Sequence, residues 1–393
     1  MTDVYPADDE LEDSTSRRRL FWAVGVLLLV AIAFAGWLGF RAQEAKSHLE
    51  HARASAQRAK DALLKGDSDA GTSAADEAQA QAQAARNSTH SVPWNIAAVV
   101  PWLGSPFKTG QQVSDVVLGL AGEVLKPATA VGQALSPTHL LRDGRVDVEL
   151  LRQKEPDLSK ISVAATRLND QAKAIQDPGY VASLGEARTQ LQRQTSDLST
   201  LLDNTALAAQ VAPSMMGADG PRAYFMGFQT NAEARGTGGL LGGFGVLHFD
   251  NGRPTVEQLG PNTELDKHFA SIDLGPEFAE QYSFADVTTD FRNSNLSAHF
   301  PYTAQIWKSM WMQQTGNNVD GVVAMDPVAL GYILGAVGPV TMPDGEQVTK
   351  DNVVELTEST AYKRFPDDQV ARKNYLQTLA SEVVKKVTAQ IGR

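Results

Sequence analysis

The sequence predicts a membrane-tethered protein of mixed class: an N-terminal transmembrane helix, a helical stalk region, then an α+β or α/β layered domain with a central mixed sheet. Three observations lead there. Residues 20–40 contain no charged side chain, and residues 42–86 are rich in Ala, Gln, Lys and Glu with few large apolar side chains. From residue 222 onward, short β-branched and aromatic runs alternate with helix-spaced apolar residues. The expected boundaries are a disordered cytoplasmic tail at 1–19, the span at 20–40, a membrane-proximal stalk at 41–212, a linker at 213–221 and the layered domain at 222–393.

At helical rise the uncharged run is long enough for a hydrocarbon core of about 30 Å. Arg17, Arg18 and Arg19 directly precede it, so the positive-inside rule places the N-terminus in the cytoplasm and everything after Arg41 outside. Trp22 and Trp37, near the two ends, suit the interfacial belt. The rival reading is a cleaved signal peptide using Ala33-Phe34-Ala35, but the apolar run continues past that site. A net charge of −11 without a basic stripe argues against a nucleic-acid partner. With no cysteine, disulfides, thiolate metal sites and cysteine nucleophiles are excluded.

In the stalk, Gly66 and Gly71 flank Asp67 and Asp69 and mark a turn between two helices. Residues 87–107 hold Pro93-Trp94 and Pro101-Trp102, which either pack against the stalk or form an apolar patch for membrane or partner. Residues 111–135 are helical by spacing (Val113, Val116, Val117, Leu120, Val124), and 140–151 read as a linker with a turn at Asp143-Gly144. A second helix pair at 157–207 is interrupted at Asp177-Pro178-Gly179.

The layered domain is organised around residues 222–265. They read as a strand at 224–228, a polar turn at 229–235, a glycine-rich segment, a strand at 246–249, an Asn251-Gly252 turn and a third strand to 259. Later come a loop-rich stretch at 274–300, a helix at 301–314, a strand at 319–325, a helix from Asp326-Pro327 and a short strand at 338–340. A helix at 353–361, a charged loop at 362–372 and a terminal helix complete the chain. Asn231, Glu233, Arg235 and Thr237 lead directly into Gly238, Gly239, Gly242 and Gly243. Two readings stay open: a ligand loop whose glycines admit a close backbone, or a glycine-kinked hairpin with Arg235 and Glu233 as a surface pair. The loop at 286–295 and the segment carrying Lys363, Arg364, Asp367, Asp368 and Arg372 are the other polar groups. If all three converge, they make an anionic-substrate site, with arginines holding phosphate and carboxylates orienting them or Mg²⁺. No Walker A, dinucleotide, HExxH or GxSxG motif is present.

On NAEARGTGG at 231–239, VDGVVAMDPVALGYILGAVGPV at 319–340 and the 362–372 segment, the chain resembles the bacterial family known as domain of unknown function 4012. Members compared with it continue further, which implies a domain truncated at its C-terminal side. In the same order it is distantly similar to the LytR-CpsA-Psr family of cell-wall glycopolymer transferases. There, Arg235 falls at the first arginine of an Arg-Ser-Asp-Thr turn, and Gly260-Pro261-Asn262-Thr263 falls at an Ile-Pro-Arg-Asp segment. Val319-Asp320-Gly321-Val322 matches a later strand, and Tyr362-Lys363-Arg364 with Arg372 matches a Tyr-x-Arg-x-Arg loop. The chain departs where Gly236 or Thr237 replaces a metal-binding aspartate, and where Asn262 and Thr263 replace the Arg-Asp pair.

The resemblance implies an extracytoplasmic cell-envelope protein binding a glycan or polyprenyl-linked anionic ligand. Its alternatives are a divergent phosphotransferase, the one case needing Mg²⁺, and a non-catalytic module contacting an envelope protein. The candidate ligand-binding residues are Arg235, Arg364, Arg372, Asn231, Glu233, Thr237 and Asp368; no catalytic residue or metal ligand is assigned. The expected partners are the lipid bilayer and a polyprenyl-linked glycan or envelope protein, with no nucleic acid.

Overall fold

Small side chains let the first two helices approach closely. The computed structural model describes residues 9–65, 67–101 and 103–391, with side chains from residue 32 onward except at 63, 64, 137 and 391. In it, α1 (Asp9–Leu64) and α2 (Ser68–Thr89) form an antiparallel hairpin. Ala52, Ala59, Ala75, Ala78, Ala82 and Ala85 line its buried seam. His48 meets Gln81 at 2.7 Å and Arg58 meets Glu77 at 2.9 Å across it. The expected turn closes the hairpin, and Asp67 caps α2 by accepting from the Ala70 N–H. The acidic residues 1–8 lie outside the described residues. The expected membrane span falls within α1, and its side chains before residue 32 are likewise outside. Among the described residues, no helix is long and apolar enough to cross a membrane.

After α3 (Val92–Val99) and α4 (Ser105–Gly119), a π-helical turn (Leu120–Leu125) leads into α5 (Lys126–Ala134). Next come α6 (Pro137–Leu140), the strands β1 (Leu141–Arg142) and β2 (Arg145–Val146), and the long helices α7 (Val148–Lys173) and α8 (Ala182–Met215). The chain divides into two compact units, Met1–Ser136 with Lys154–Ala208, and Pro137–Gln153 with Ala209–Arg393. Residues 140–151 are thus more than a linker. Their β1–β2 hairpin turns at Asp143 and Gly144, both with positive φ. It is fastened within the second unit by Val146 N–H to Gly252 O (2.9 Å) and Arg253 Nη2 to Asp143 O (2.7 Å).

The second unit is an α+β domain on a mixed sheet. Its strands are β3 (Arg222–Arg235), β4 (Gly238–Asp250), β5 (Arg253–Pro261) and β6 (Gly321–Met325), in the order β5-β4-β3-β6. β3 runs antiparallel to β4 and parallel to β6. The expected polar turn at 229–235 is instead the distal half of β3. Arg235 pairs with Gly238, so only Gly236 and Thr237 turn. Pairing persists because glycine tolerates the crowding: a Cβ at Gly239 would overlap the Thr230 carbonyl. Asn251 and Gly252 turn β4 into β5 with φ of 45° and 81°, as expected of a type I′ hairpin.

On one sheet face lies α10 (Phe300–Thr315), which follows the short α9 (Pro276–Tyr282). Its Trp307 and Trp311 rings lie 5.5–5.9 Å from those of Phe225 and Phe244. Each such pair adds about 0.5–1.5 kcal/mol beyond its buried area. A second core gathers α11 (Pro327–Val337), the β7 (Val340–Thr341) and β8 (Gln347–Val348) hairpin, α12 (Val353–Glu355), a π-helical turn (Leu356–Thr360), α13 (Ala361–Arg364) and α14 (Gln369–Ile391). The expected charged loop at 362–372 therefore shrinks to 365–368, and α8 continues through Pro213 to Met215.

Gly227 sits where β3 passes under α10, and a Cβ there would fall inside the Trp307 ring. Replacing Gly227 with Ala should cost about 1–3 kcal/mol by overpacking. Urea unfolding followed by tryptophan fluorescence checks it; an unchanged midpoint would mean the ring is not seated on this strand.

Candidate functional site

A break in the β3–β4 ladder builds the site. Thr230 pairs with Leu240 and Ala234 with Gly239, so residues 231–233 bulge out of register. The bulge strips Asn231 and Ala232 N–H of ladder partners, and both donate to the Glu358 carboxylate, the former at 3.2 Å. Burial pushes the Glu358 carboxyl above its ordinary range, with Asp326 and Glu233 adding repulsion against these two hydrogen bonds. One residue on, Glu233 accepts from the Tyr362 hydroxyl at 3.0 Å. Burial first, then Glu233, holds the Tyr362 phenol well above its usual value. The 356–364 segment is thus clamped to the bulge by two polar contacts.

In front of this clamp lies a cavity of about 520 Å³, within the size range of small-ligand sites. Its polar wall carries Arg235, Arg292, Arg372 and Lys373 together with Glu233, Asp266, Asp326 and Glu358. Leu240, Leu259, Leu330, Leu376, Leu379 and Met325 supply apolar surface. Arg292 is neutralised by Asp266 (2.6 Å) and Asp290 (3.2 Å). Arg235 bonds only carbonyls, Ala234 O at 2.9 Å and Arg292 O at 3.1 Å, which fix its guanidinium. Arg372 stacks 4.3 Å over the Tyr362 ring. Among the described residues, none of Arg235, Arg372 and Lys373 forms an ion pair with a carboxylate.

Of the sequence candidates, Arg235, Glu233 and Arg372 line this cavity, drawn together from β3 and α14. The other four do not. Arg364 forms a bidentate pair with Glu346 at 2.7 and 3.1 Å and stacks on Tyr375. Asp368 caps α14 through the Ala371 N–H. The Thr237 hydroxyl is the hairpin hub, accepting from Gln229 (2.7 Å) and Asn295 (3.0 Å). Asn231 enters through its backbone N–H. Sequence reasoning did not select Lys373, Asp326, Glu358 or Tyr362; the i, i+4 spacing of Glu358 and Tyr362 on one helical face was the available signal.

The donor set does not make a Mg²⁺ site. Gly236 and Thr237 stand where the resemblance implies a metal-binding aspartate, and the cavity carboxylates are engaged: Asp326 caps α11, Asp266 pairs with Arg292, and Glu233 and Glu358 hold the clamp. Among the described residues, no cluster of three or more His, Asp or Glu side chains is spaced to hold a metal.

The geometry defines an α+β domain with a cleft lined by both cationic and aliphatic side chains. Residues 219–362 match the family model described as protein of unknown function (DUF4012). No curated protein and no solved structure matches the chain.

A carboxyl with a raised folded-state pKa contributes stability that is present at low pH and is lost as pH rises through that pKa. Wild type should therefore gain stability relative to Glu358→Gln as pH falls from neutral towards the ordinary value of 4.5. Paired thermal melts across this window measure it; a pH-independent difference would remove the burial argument.

Proposed function

We propose that the protein is a single-pass membrane protein of the cell envelope whose second unit binds a polyprenyl-linked anionic ligand, such as a lipid-linked glycan phosphate. The carrying observation is a cavity lined both by leucines and by Arg235, Arg372 and Lys373, which among the described residues have no carboxylate partner. Unpaired cations in a partly dry site are costly unless an anion completes them, and arginine forks suit phosphate oxygens. Aliphatic walls take an isoprenoid chain by apolar burial. The uncharged residues 20–40 and the preceding Arg17, Arg18 and Arg19 support the anchor and the extracytoplasmic placement. The distant similarity to the glycopolymer transferases supports the ligand class, while the engaged carboxylates give no ground for assigning a transfer step.

Mass spectrometry of lipids retained by the full-length protein tests this reading. Arg235→Ala and Arg372→Ala should each reduce retained polyprenyl phosphate about tenfold to a hundredfold, the range expected for one charged hydrogen-bonding partner. Arg364→Ala should leave it unchanged, because Arg364 is spent on Glu346. Equal retention by all variants, or none by folded wild type, would sink the proposal.

A further inference from the structure

The first unit has an apolar end, and its position on α1 identifies what it touches. α2 runs down α1 until the Ser88 hydroxyl donates to Glu44 at 3.2 Å. The chain then turns through α3 and climbs away in α4, where Ser114 meets Thr89 at 2.7 Å and Asp115 meets Arg86 at 2.7 Å. The turn between α7 and α8 reaches the same end: Thr109 donates to Gln176 O (2.9 Å) and Tyr180 donates to Leu103 O (2.8 Å). The Ser88–Glu44 bond sets the end of α2 against residue 44 of α1, just after the uncharged stretch stops at Phe40.

The side chains at this end are unusual for a surface. Pro93, Trp94, Ala97 and Ala98 form the buried side of α3, with Trp94 edge-on to Phe107 and donating to its carbonyl. The expected choice for Trp94 is thus resolved as packing, whereas Trp102 lies outside the described residues. Exposed instead are Val92, Ile96, Val99 and Leu103, at helical spacing, and Tyr180, all between 43% and 76% accessible. Residues 91–107 contain no charged side chain, and Lys108 follows at once. On α1, Ile32, Trp37 and Phe40 are also exposed and continue the apolar band towards its N-terminal side.

We infer that this end of the helical unit, the outer face of α3 with Leu103 and Tyr180, sits in the interfacial layer of a phospholipid bilayer. The inference rests on the membrane-anchor reading above and extends it to a second contact. Continuity selects the occupant: the band runs into the uncharged segment of α1, so a bilayer that receives residues 20–40 meets α3 at its headgroup boundary. There, aliphatic side chains bury shallowly, a tyrosine keeps its hydroxyl wet and a lysine stem reaches phosphate.

The cysteine-free chain allows unique labels. Full-length protein carrying single substitutions Phe40→Cys, Ile96→Cys, Val99→Cys or Val163→Cys, each labelled with an environment-sensitive fluorophore, is placed in phosphatidylglycerol/phosphatidylethanolamine nanodiscs containing doxyl lipids. Val163 is exposed on α7, roughly 20 Å from Asp177 at the rise of a helix. Labels at 96 and 99 should be quenched by the doxyl lipid at least about twofold more than the label at 163. Quenching at 40 without quenching at 96 and 99 overturns the inference and leaves the anchor standing. No quenching at 40 removes both. Labels at 96 and 99 shielded from iodide yet untouched by doxyl lipid would mean a protein covers this face, which also overturns it.

Discussion

Everything in the candidate site depends on one carboxylate taking up two backbone N–H groups. The β3 bulge would leave the Asn231 and Ala232 N–H groups without ladder partners; Ala232 is exposed, but at half-buried Asn231 an unmet donor costs up to about 1–3 kcal/mol. Glu358 meets both, and does so at the expense of its own desolvation. Among the described residues no cation pairs with it, so the peptide dipoles of the bulge are its countercharge. Because Glu358 stands in a π-helical turn, the same contact sets the rotation of the following residues and delivers the Tyr362 ring to Arg372 and its hydroxyl to Glu233. Strand irregularity, helix irregularity and cation placement are therefore one arrangement.

That arrangement separates the arginines by function. Arg364 and Arg372 lie two turns apart in sequence, yet the first is consumed by Glu346 and Tyr375 and the second is left with an aromatic face. Aromatic stacking orients a guanidinium without neutralising it, so its in-plane N–H groups stay available. Arg235 reaches the same condition by another route, its guanidinium fixed by carbonyl oxygens. A ligand completing both must bring negative charge and tolerate leucines close by.

How much of this was legible in the sequence follows from the range of the interactions involved. Local signals give the turn around Asp67, the Asn251-Gly252 turn, a strand expected at 319–325 and found at 321–325, and the helix start at Asp326-Pro327, since each is decided within a few residues. The polar half of β3 was missed because its composition favours a turn, and only pairing with the glycines of β4 keeps it extended. The β1–β2 hairpin reads as a linker in sequence because its fastening to Gly252 and Arg253 crosses about a hundred residues of chain. Arg235, Glu233 and Arg372 were legible as charged groups with a chemical use. Arg364 is indistinguishable from them in the sequence, because Glu346, eighteen residues away, comes beside it only in the fold.

The family match bears on how the cavity is assembled. It ends at Tyr362, the residue whose ring Arg372 covers, so the matched segment supplies β3, the clamp and the α11 cap but not α14. α14 contributes Arg372 and Lys373, two of the cavity's three cations without an ion-pair partner among the described residues, together with the leucines 376 and 379. The clamp through Glu358 is internal to the matched segment and needs nothing from α14. The cavity's unpaired cations, by contrast, come from both parts, Arg235 from β3 and Arg372 and Lys373 from α14. The bulge therefore serves as scaffold, and the helix docked in front of it supplies Arg372, Lys373 and the leucines 376 and 379 to the cavity lining.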